Sequence, residues 1–486
     1  GMLFFDDVPS ACSAIVPLRD SGARTLELMD HASLISVQHQ PGVPQRIPDL
    51  PPTAAALLVE YQASTEGELS DFLTSCDEVM PALSLQSDPI FTRDPVRQDN
   101  LWSVRKGLIA SVGAERKRGT SMIIEDVVFP LEALAEGVGV LQELFSTHRY
   151  DDAIIFGHAK DGNLHFVLNQ GFGSDDEIKR FDTVLNELAQ IVAVRYGGAL
   201  KGEHSTGRNM APFLELEWGA EAVAIMRELK RLVDPDNLLN PGVLINHNPE
   251  AHLTDLKALE TVEEVVDPCI ECGFCERLCP SRDLTRTPRQ RIVLQREITR
   301  LRREEPKSPV LRELDKAFQY SALDTCAADG LCATGCPVGI DTGLLVKLLR
   351  ENAHPPLRRR LAGLMARHFG PVERLARGGL RLARLTGLAP ADLPRAARGA
   401  VPKTSSDRAR AVYFPCCVSR VFAPADGNRS LAETVVEVCR RAGVAVWIPE
   451  GVNQFCCGMP FGSKGYREAS VTSVSRLVEA LWAWTG

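Results

Sequence analysis

The stretch Cys269-Ile-Glu-Cys272-Gly-Phe-Cys275-Glu-Arg-Leu-Cys279-Pro280 decides the reading of the chain's second half. Its pattern is C-x2-C-x2-C-x3-C-P. Thiolates at every third residue let one short loop wrap three ligands around a cubane, while the fourth reaches a neighbouring cluster. A second group, Cys326-Ala-Ala-Asp329-Gly-Leu-Cys332-Ala-Thr-Gly-Cys336-Pro337, repeats the spacing with Asp329 where a thiolate is expected. Crossing the fourth ligands gives two sites. One takes Cys269, Cys272, Cys275 and Cys336; the other takes Cys326, Cys332 and Cys279, completed by Asp329 or solvent. The first reads as a 4Fe-4S cluster, the second as an Asp-ligated or 3Fe-4S cluster. A structural zinc site draws on the same thiolates, but four cysteines at this spacing ending in Cys-Pro seldom serve zinc. The charged segment 288–321 between the groups reads as helical, so 251–350 is expected to be an α-helical ferredoxin domain.

Composition agrees with metal ligation. Of fourteen cysteines, eleven fall in three groups after position 268; Cys12, Cys76 and Cys439 stand alone and read as small buried hydrophobes. Clustered cysteines without a secretion signal point to metals rather than disulfides. The amino terminus has no basic region or cleavage site, and Gly1 before Met2 reads as a tag remnant. At 486 residues the chain is too long for one core. No apolar run approaches the roughly 18 residues of a spanning helix, and the expected location is cytoplasmic. A net charge of −8 argues against a nucleic-acid partner. That charge is uneven, because 354–410 holds 13 Arg or Lys against 3 acids. The Arg-rich run 357–398 is a candidate for peripheral contact with the inner face of an anionic membrane. A solvated helix on its own protein is the commoner explanation.

Residues 1–250 alternate strands (54–61, 121–129) with helices (66–83, 100–114, 131–146, 176–196, 218–233), an α+β pattern. Residues 351–405 read as a basic linker. Residues 406–486 read as an α/β unit with a strand at 411–414, a helix at 431–442, a strand at 444–448 and then Cys456-Cys457-Gly.

Within the first part, Ile154-Ile-Phe-Gly-His158-Ala-Lys-Asp161-Gly162-Asn-Leu-His165-Phe-Val-Leu carries the chemistry. Asp161-Gly162 between two apolar runs predicts a two-residue hairpin turn. His158 then faces His165 directly on a solvated sheet face, with Ile155, Ala159, Leu164, Phe166 and Leu168 on the core face. Two opposed imidazoles chelate a divalent metal if a carboxylate joins them, and Lys201-Gly-Glu203-His204 supplies one. A surface histidine pair is the bland alternative.

These residues resemble the carboxy-terminal domain of FAD-linked oxidases of the vanillyl-alcohol-oxidase type. The matching pieces are Leu101-Trp-Ser-Val-Arg105-Lys, Gly157-His158 through Asn163-Leu-His165, Glu203-His204 with Thr206-Gly-Arg-Asn, and Asn237-Leu-Leu-Asn240-Pro-Gly. With the cysteine groups behind them, the order is similar to large FAD and iron–sulfur D-lactate dehydrogenases. The resemblance implies a ferredoxin-like antiparallel sheet domain, then the α-helical ferredoxin domain, then a partial α/β Cys-Cys-Gly domain. It implies that His158, His165 and Glu203 hold a divalent metal, zinc in first place. His204 would take the hydroxyl proton, Arg105 would bind the substrate carboxylate, and Asn240 would lie near the flavin. Cys417, Cys456 and Cys457 would bind further clusters or contact a quinone partner.

There are departures. Ser205 stands where relatives carry Gly after Glu-His, so a different backbone is expected there. Glu125 and Asp126 stand where dicarboxylate-preferring relatives place a Lys, which favours a monocarboxylate such as D-lactate. No FAD-binding segment is found upstream and the closing Cys-x-x-Cys of a Cys-Cys-Gly domain is not reached, so truncation at both ends is expected. Two functions follow. One is a fragment of a dehydrogenase that oxidises a D-2-hydroxy acid to the 2-oxo acid. FAD would be bound mostly by an upstream domain or subunit, and a quinone or cytochrome would accept the electrons. The other is a non-catalytic iron–sulfur subunit serving a separate flavoprotein.

Overall fold

The computed structural model describes all residues except Pro41, Thr206, 387–392, 398–400, 425–427 and Gly486. Thr206 of the resembling motif and parts of the Arg-rich run therefore lie outside the described residues. The chain divides into two compact units, each taken by itself below.

The first unit comprises residues 1–274, 292–311 and 335–340. Its strands are β1 (Met2–Phe5), β2 (Thr25–Asp30), β3 (Ala55–Glu60), β4 (Thr120–Val128), β5 (Ile154–His158) and β6 (Asn163–Gly171). They form one sheet in the order β1-β3-β2-β5-β6-β4, with every neighbouring pair antiparallel. Runs such as Met-Leu-Phe-Phe in β1 and Ala-Ala-Leu-Leu-Val in β3 are apolar throughout rather than alternating, as expected of strands covered on both faces. One face packs Leu141, Phe145, Phe181 and Leu185 from the helices Leu134–Thr147 and Asp175–Ala189 against Ile155, Leu164, Phe166 and Leu168. The other is covered by Leu101, Val104, Leu108 and Val112 of the helix Pro95–Glu115, which meet Met29, Phe156 and Val167. Asp94 starts that helix by accepting the Val96 N–H at 2.9 Å, with Pro95 in its first turn.

Two expectations about the hairpin are corrected. Phe156, not His158, lies opposite His165. Residues Ala159–Asp161 form a single 3-10 turn ending on Gly162 at φ +70°, so the connection is longer than two residues. Gly162 is required there, because a Cβ would sit 2.1 Å from the Phe129 carbonyl oxygen. The shift is by two positions, so the histidines keep the same face as diagonal neighbours. That face is solvated only in part: His165 is 3% exposed, whereas the His158 side chain keeps 37% of its surface.

The second unit comprises residues 275–291, 312–334 and 341–486. The stretch read as a linker begins with two helices, Pro356–Arg367 and Phe369–Leu385. Ala362, Ala366 and Phe369 are buried with Cys417, Cys456, Phe461 and Ala469, so this segment is part of a core. The arginines that marked it as a linker line the outer side of amphipathic helices. Helix Pro356–Arg367 packs on the helix Arg467–Thr485, and Arg476 donates to the Ala366 carbonyl at 2.9 Å. Two short strands, Ala411–Val412 and Val446–Trp447, pair in parallel with the helix Leu431–Arg441 between them in sequence. Among the described residues, no helix is long and apolar enough to cross a membrane.

Candidate active site and cluster cysteines

Neighbouring strands of the first unit bring the polar groups together. Glu27 on β2 pairs directly with His158 on β5, while Phe156 on β5 and Asp126 on β4 flank His165 on β6. Because residues opposite each other share a face, Glu27, His158, His165 and Asp126 form one polar island in an otherwise apolar surface.

Asp126, fully buried, shapes the loop above them. Its Oδ2 accepts the backbone N–H groups of Gly202 at 2.8 Å, Glu203 at 2.5 Å and His204 at 3.4 Å. Gly202 permits this approach, since a Cβ there would lie 2.0 Å from Asn163 Nδ2. Ser205 adopts φ +62°, the left-handed conformation a glycine takes freely. The serine thus accepts a backbone suited to glycine, at a cost of roughly 1 kcal/mol.

The loop delivers Glu203 and His204 to the hairpin. Glu203 Oε1 lies 3.1 Å from His158 Nε2, 3.2 Å from His165 Nε2 and 3.7 Å from His204 Nε2. The His165 and His204 rings stack with centroids 4.9 Å apart. Among the described residues, two sets of donor atoms are close enough to share an ion: His158, His165 and Glu203, and Asp126, His165 and His204. The donors suit a divalent metal. Burial lowers His165 to about 4, so its imidazole is neutral at pH 7 and open to a Lewis acid. Its Nδ1 and the Asp126 Oδ1 are buried without a hydrogen-bond partner among the described residues.

Sequence reasoning missed Glu27. One carboxylate oxygen lies 2.6 Å from His158 Nδ1 and the other accepts Arg105 Nε at 2.8 Å. Burial pushes Glu27 up, but His158 and Arg105 outweigh it and hold the carboxyl below its usual value. The Glu27 hydrogen bond, against burial, raises His158. Arg105 projects from the helix Pro95–Glu115, with its guanidinium carbon 4.3 Å from the Phe156 ring centroid. Among the described residues no hydrogen bond engages its terminal nitrogens. A second acid in this sheet, Glu125, is buried against Lys201 and accepts Asn209 Nδ2 at 2.7 Å. The signal for both was an acidic residue inside an apolar strand, Glu27 in Thr-Leu-Glu-Leu-Met-Asp and Glu125 in Met-Ile-Ile-Glu-Asp. Asn240 sits in an exposed turn at φ +47°, and among the described residues no hydrogen bond ties it to the histidines.

The cysteines divide between the units. Cys269, Cys272 and Cys336 belong to the first, where the Cys269 and Cys336 thiols lie close enough to feel each other's charge. Arg116 and Arg296 both donate to the Cys269 carbonyl, at 2.9 and 3.2 Å. Cys275 caps the turn Glu276–Leu278 at the start of the second unit's share. Cys279, Cys326 and Cys332 line one cavity within the second unit, with Asp329 at its exposed rim. Burial pushes the Cys269 and Cys332 thiols up from their ordinary value. In the same unit the Cys417 and Cys456 side chains are buried side by side, and Cys457 is exposed. The fully buried Arg420 bonds Glu373 at 2.9 Å and the Pro415 and Phe455 carbonyls at 2.8 Å, joining the two Cys-Cys turns.

Comparison with known proteins follows these lines. Residues 265–340 match the 4Fe-4S dicluster domain. Glycolate oxidase subunit GlcD of Bacillus subtilis is 28% identical over 45% of this chain and 44% of its own length. A D-lactate dehydrogenase of Anaerostipes hadrus is 29% identical over 39% of this chain and 38% of its own. A D-2-hydroxyglutarate dehydrogenase of Haemophilus influenzae is 24% identical over 50% of this chain and 28% of its own. The chain spans less than half the length of these relatives. The family model for FAD linked oxidases, C-terminal domain, matches residues 1–244, half of the chain, and the protein belongs to that family.

Proposed function

We propose that this chain is the substrate-binding and electron-relay part of a dehydrogenase that oxidises a D-2-hydroxy acid, D-lactate in first place, to the 2-oxo acid. The observation that carries this is the convergence of three imidazoles on Glu203 Oε1 beside the partly unengaged guanidinium of Arg105. His158, His165 and Glu203 would hold the divalent metal, and the cysteine groups two iron–sulfur clusters. When bound, the metal would supply acidification of the hydroxyl, the flavin a hydride acceptor and the clusters a path for single electrons to a quinone or cytochrome.

The chain's own residues do the rest. Arg105 offers its terminal nitrogens to the substrate carboxylate, a geometry that fixes orientation as well as binding. His204, on the loop shaped by Asp126, accepts the hydroxyl proton at a ring nitrogen. Lys201 is paired with Glu125, so it offers no free cation to a second carboxylate, which supports a monocarboxylate. The sequence similarity to D-lactate and D-2-hydroxyglutarate dehydrogenases supports the reaction class. A purely electron-carrying role leaves the converged imidazoles without a purpose.

The test is a dye-reduction assay with the chain assembled with a flavin-binding partner. D-lactate, glycolate and D-2-hydroxyglutarate are compared at equal concentration. D-lactate is expected to be turned over fastest. Failure of all three acids, in material with full metal and iron content, would overturn the proposal.

A further inference from the structure

The loops of the two cysteine groups share a backbone. In Cys269–Gly273 of the first, Glu271 has φ +59° and Gly273 φ +86°. In Cys326–Gly330 of the second, Ala328 has φ +53° and Gly330 φ +79°. A non-glycine residue in the left-handed region costs roughly 1–2 kcal/mol, so its recurrence at matching positions marks the same turn built twice. In that turn Asp329 occupies the place of Cys272.

The surroundings ask for an anionic, sulfur-bound occupant. Asp329 lines the cavity together with Cys279, Cys326 and Cys332. Arg291, 1% exposed, lines it as well. Its Nε donates to the Ala322 carbonyl at 2.9 Å and its Nη1 lies 3.5 Å from Cys279 Sγ. Its Nη2 is buried with no partner among the described residues. A buried cation left partly unpaired beside three thiols is matched by a cluster carrying net negative charge. Asp341 brings a further carboxylate near: its Oδ1 lies 3.6 Å from Cys332 Sγ. That oxygen already accepts the Gly343 N–H at 2.8 Å as the cap of the helix Thr342–Ala353, so it is committed to the fold.

We infer that Asp329 is the fourth iron ligand of the cluster held by Cys279, Cys326 and Cys332. The inference rests on the reading that these cysteines bind iron and sulfide. Carboxylate is a harder donor than thiolate, so the iron at this exposed corner is the most weakly held of the four.

The full chain is reconstituted anaerobically with iron and sulfide as wild type, Asp329→Ala, Asp329→Cys and Asp341→Asn. Iron and acid-labile sulfide are counted and EPR spectra recorded before and after reduction. Asp329→Ala is expected to carry one iron fewer per chain and to show the oxidised signal of a three-iron cluster. Asp329→Cys should keep full iron, lack that signal and change the reduced spectrum, because a thiolate replaces the carboxylate. Asp341→Asn should match wild type. Asp329→Ala indistinguishable from an iron-replete wild type would overturn the inference, as would a three-iron signal from Asp341→Asn alone. A wild type that takes up no iron at all refutes the cluster reading itself, a separate outcome.

Discussion

Glu27 and His158 are joined by a 2.6 Å contact between a carboxylate oxygen and Nδ1, made across directly paired strands. The contact fixes Nδ1 as the protonated nitrogen and leaves Nε2 facing Glu203. The same carboxylate holds Arg105, so one buried side chain orients both His158, the proposed metal ligand, and Arg105, the cation proposed to bind substrate. Glu27→Gln keeps the shape but removes the charge. Loss of such a partner lowers metal affinity by about 10–100-fold, and zinc competition titrations on the purified chain measure it. Unchanged affinity would show that Glu27 does not orient His158.

Arg105→Lys should raise KM for the hydroxy acid while changing kcat less. A lysine offers one point charge where the guanidinium offers two parallel donors. Loss of one charge-assisted hydrogen bond, about 1.5–3 kcal/mol, corresponds to an increase of about 10–100-fold. Steady-state kinetics of the flavin-loaded assembly give both parameters.

Asp126→Asn is close to isosteric, yet it removes the charge that gathers three backbone N–H groups. The loop carrying Glu203 and His204 should loosen, with zinc affinity reduced about 10-fold or more. An unchanged circular dichroism spectrum would separate this from loss of the fold.

The metal-free chain should lose stability in mild acid. His165 titrates near 6.5 when unfolded and at about 4 when folded, because burial disfavours its charged form. Between these values the unfolded state binds the proton and the folded state does not, so stability falls as pH drops. From pH 7 to about 5 this amounts to about 2 kcal/mol. His158, whose pKa is raised, acts in the opposite sense and remains in both proteins compared. Urea unfolding of wild type and His165→Gln at the two pH values isolates the difference. An equal loss in both would contradict the assignment.

The sequence made the proposed ligands legible but not their supports. His158, His165, Glu203 and His204 lie in short local patterns, and the cysteine spacing carries its chemistry within a dozen residues. Glu27 is 131 residues from His158, and only the pairing of β2 with β5 brings them together. The hairpin register was misread because Asp161-Gly162 suits a two-residue turn. The choice was made instead by the close approach of Gly162 to Phe129 in another strand's extension. The basic stretch was misread because exposed arginines outnumber the few small residues, Ala362 and Ala366, that seat its helix in the core. The buried arginines Arg291 and Arg420 gave no local signal, since Cys279 lies 12 residues from the first and Glu373 47 residues from the second.

The most direct test is anaerobic stopped-flow absorbance of the flavin-loaded assembly mixed with D-lactate or L-lactate. D-lactate alone should bleach the flavin, followed by slower reduction of the iron–sulfur bands. Replacing His204 by alanine should slow the bleaching by about 100-fold or more. No bleaching by any D-2-hydroxy acid, or bleaching indifferent to His204, would contradict the account.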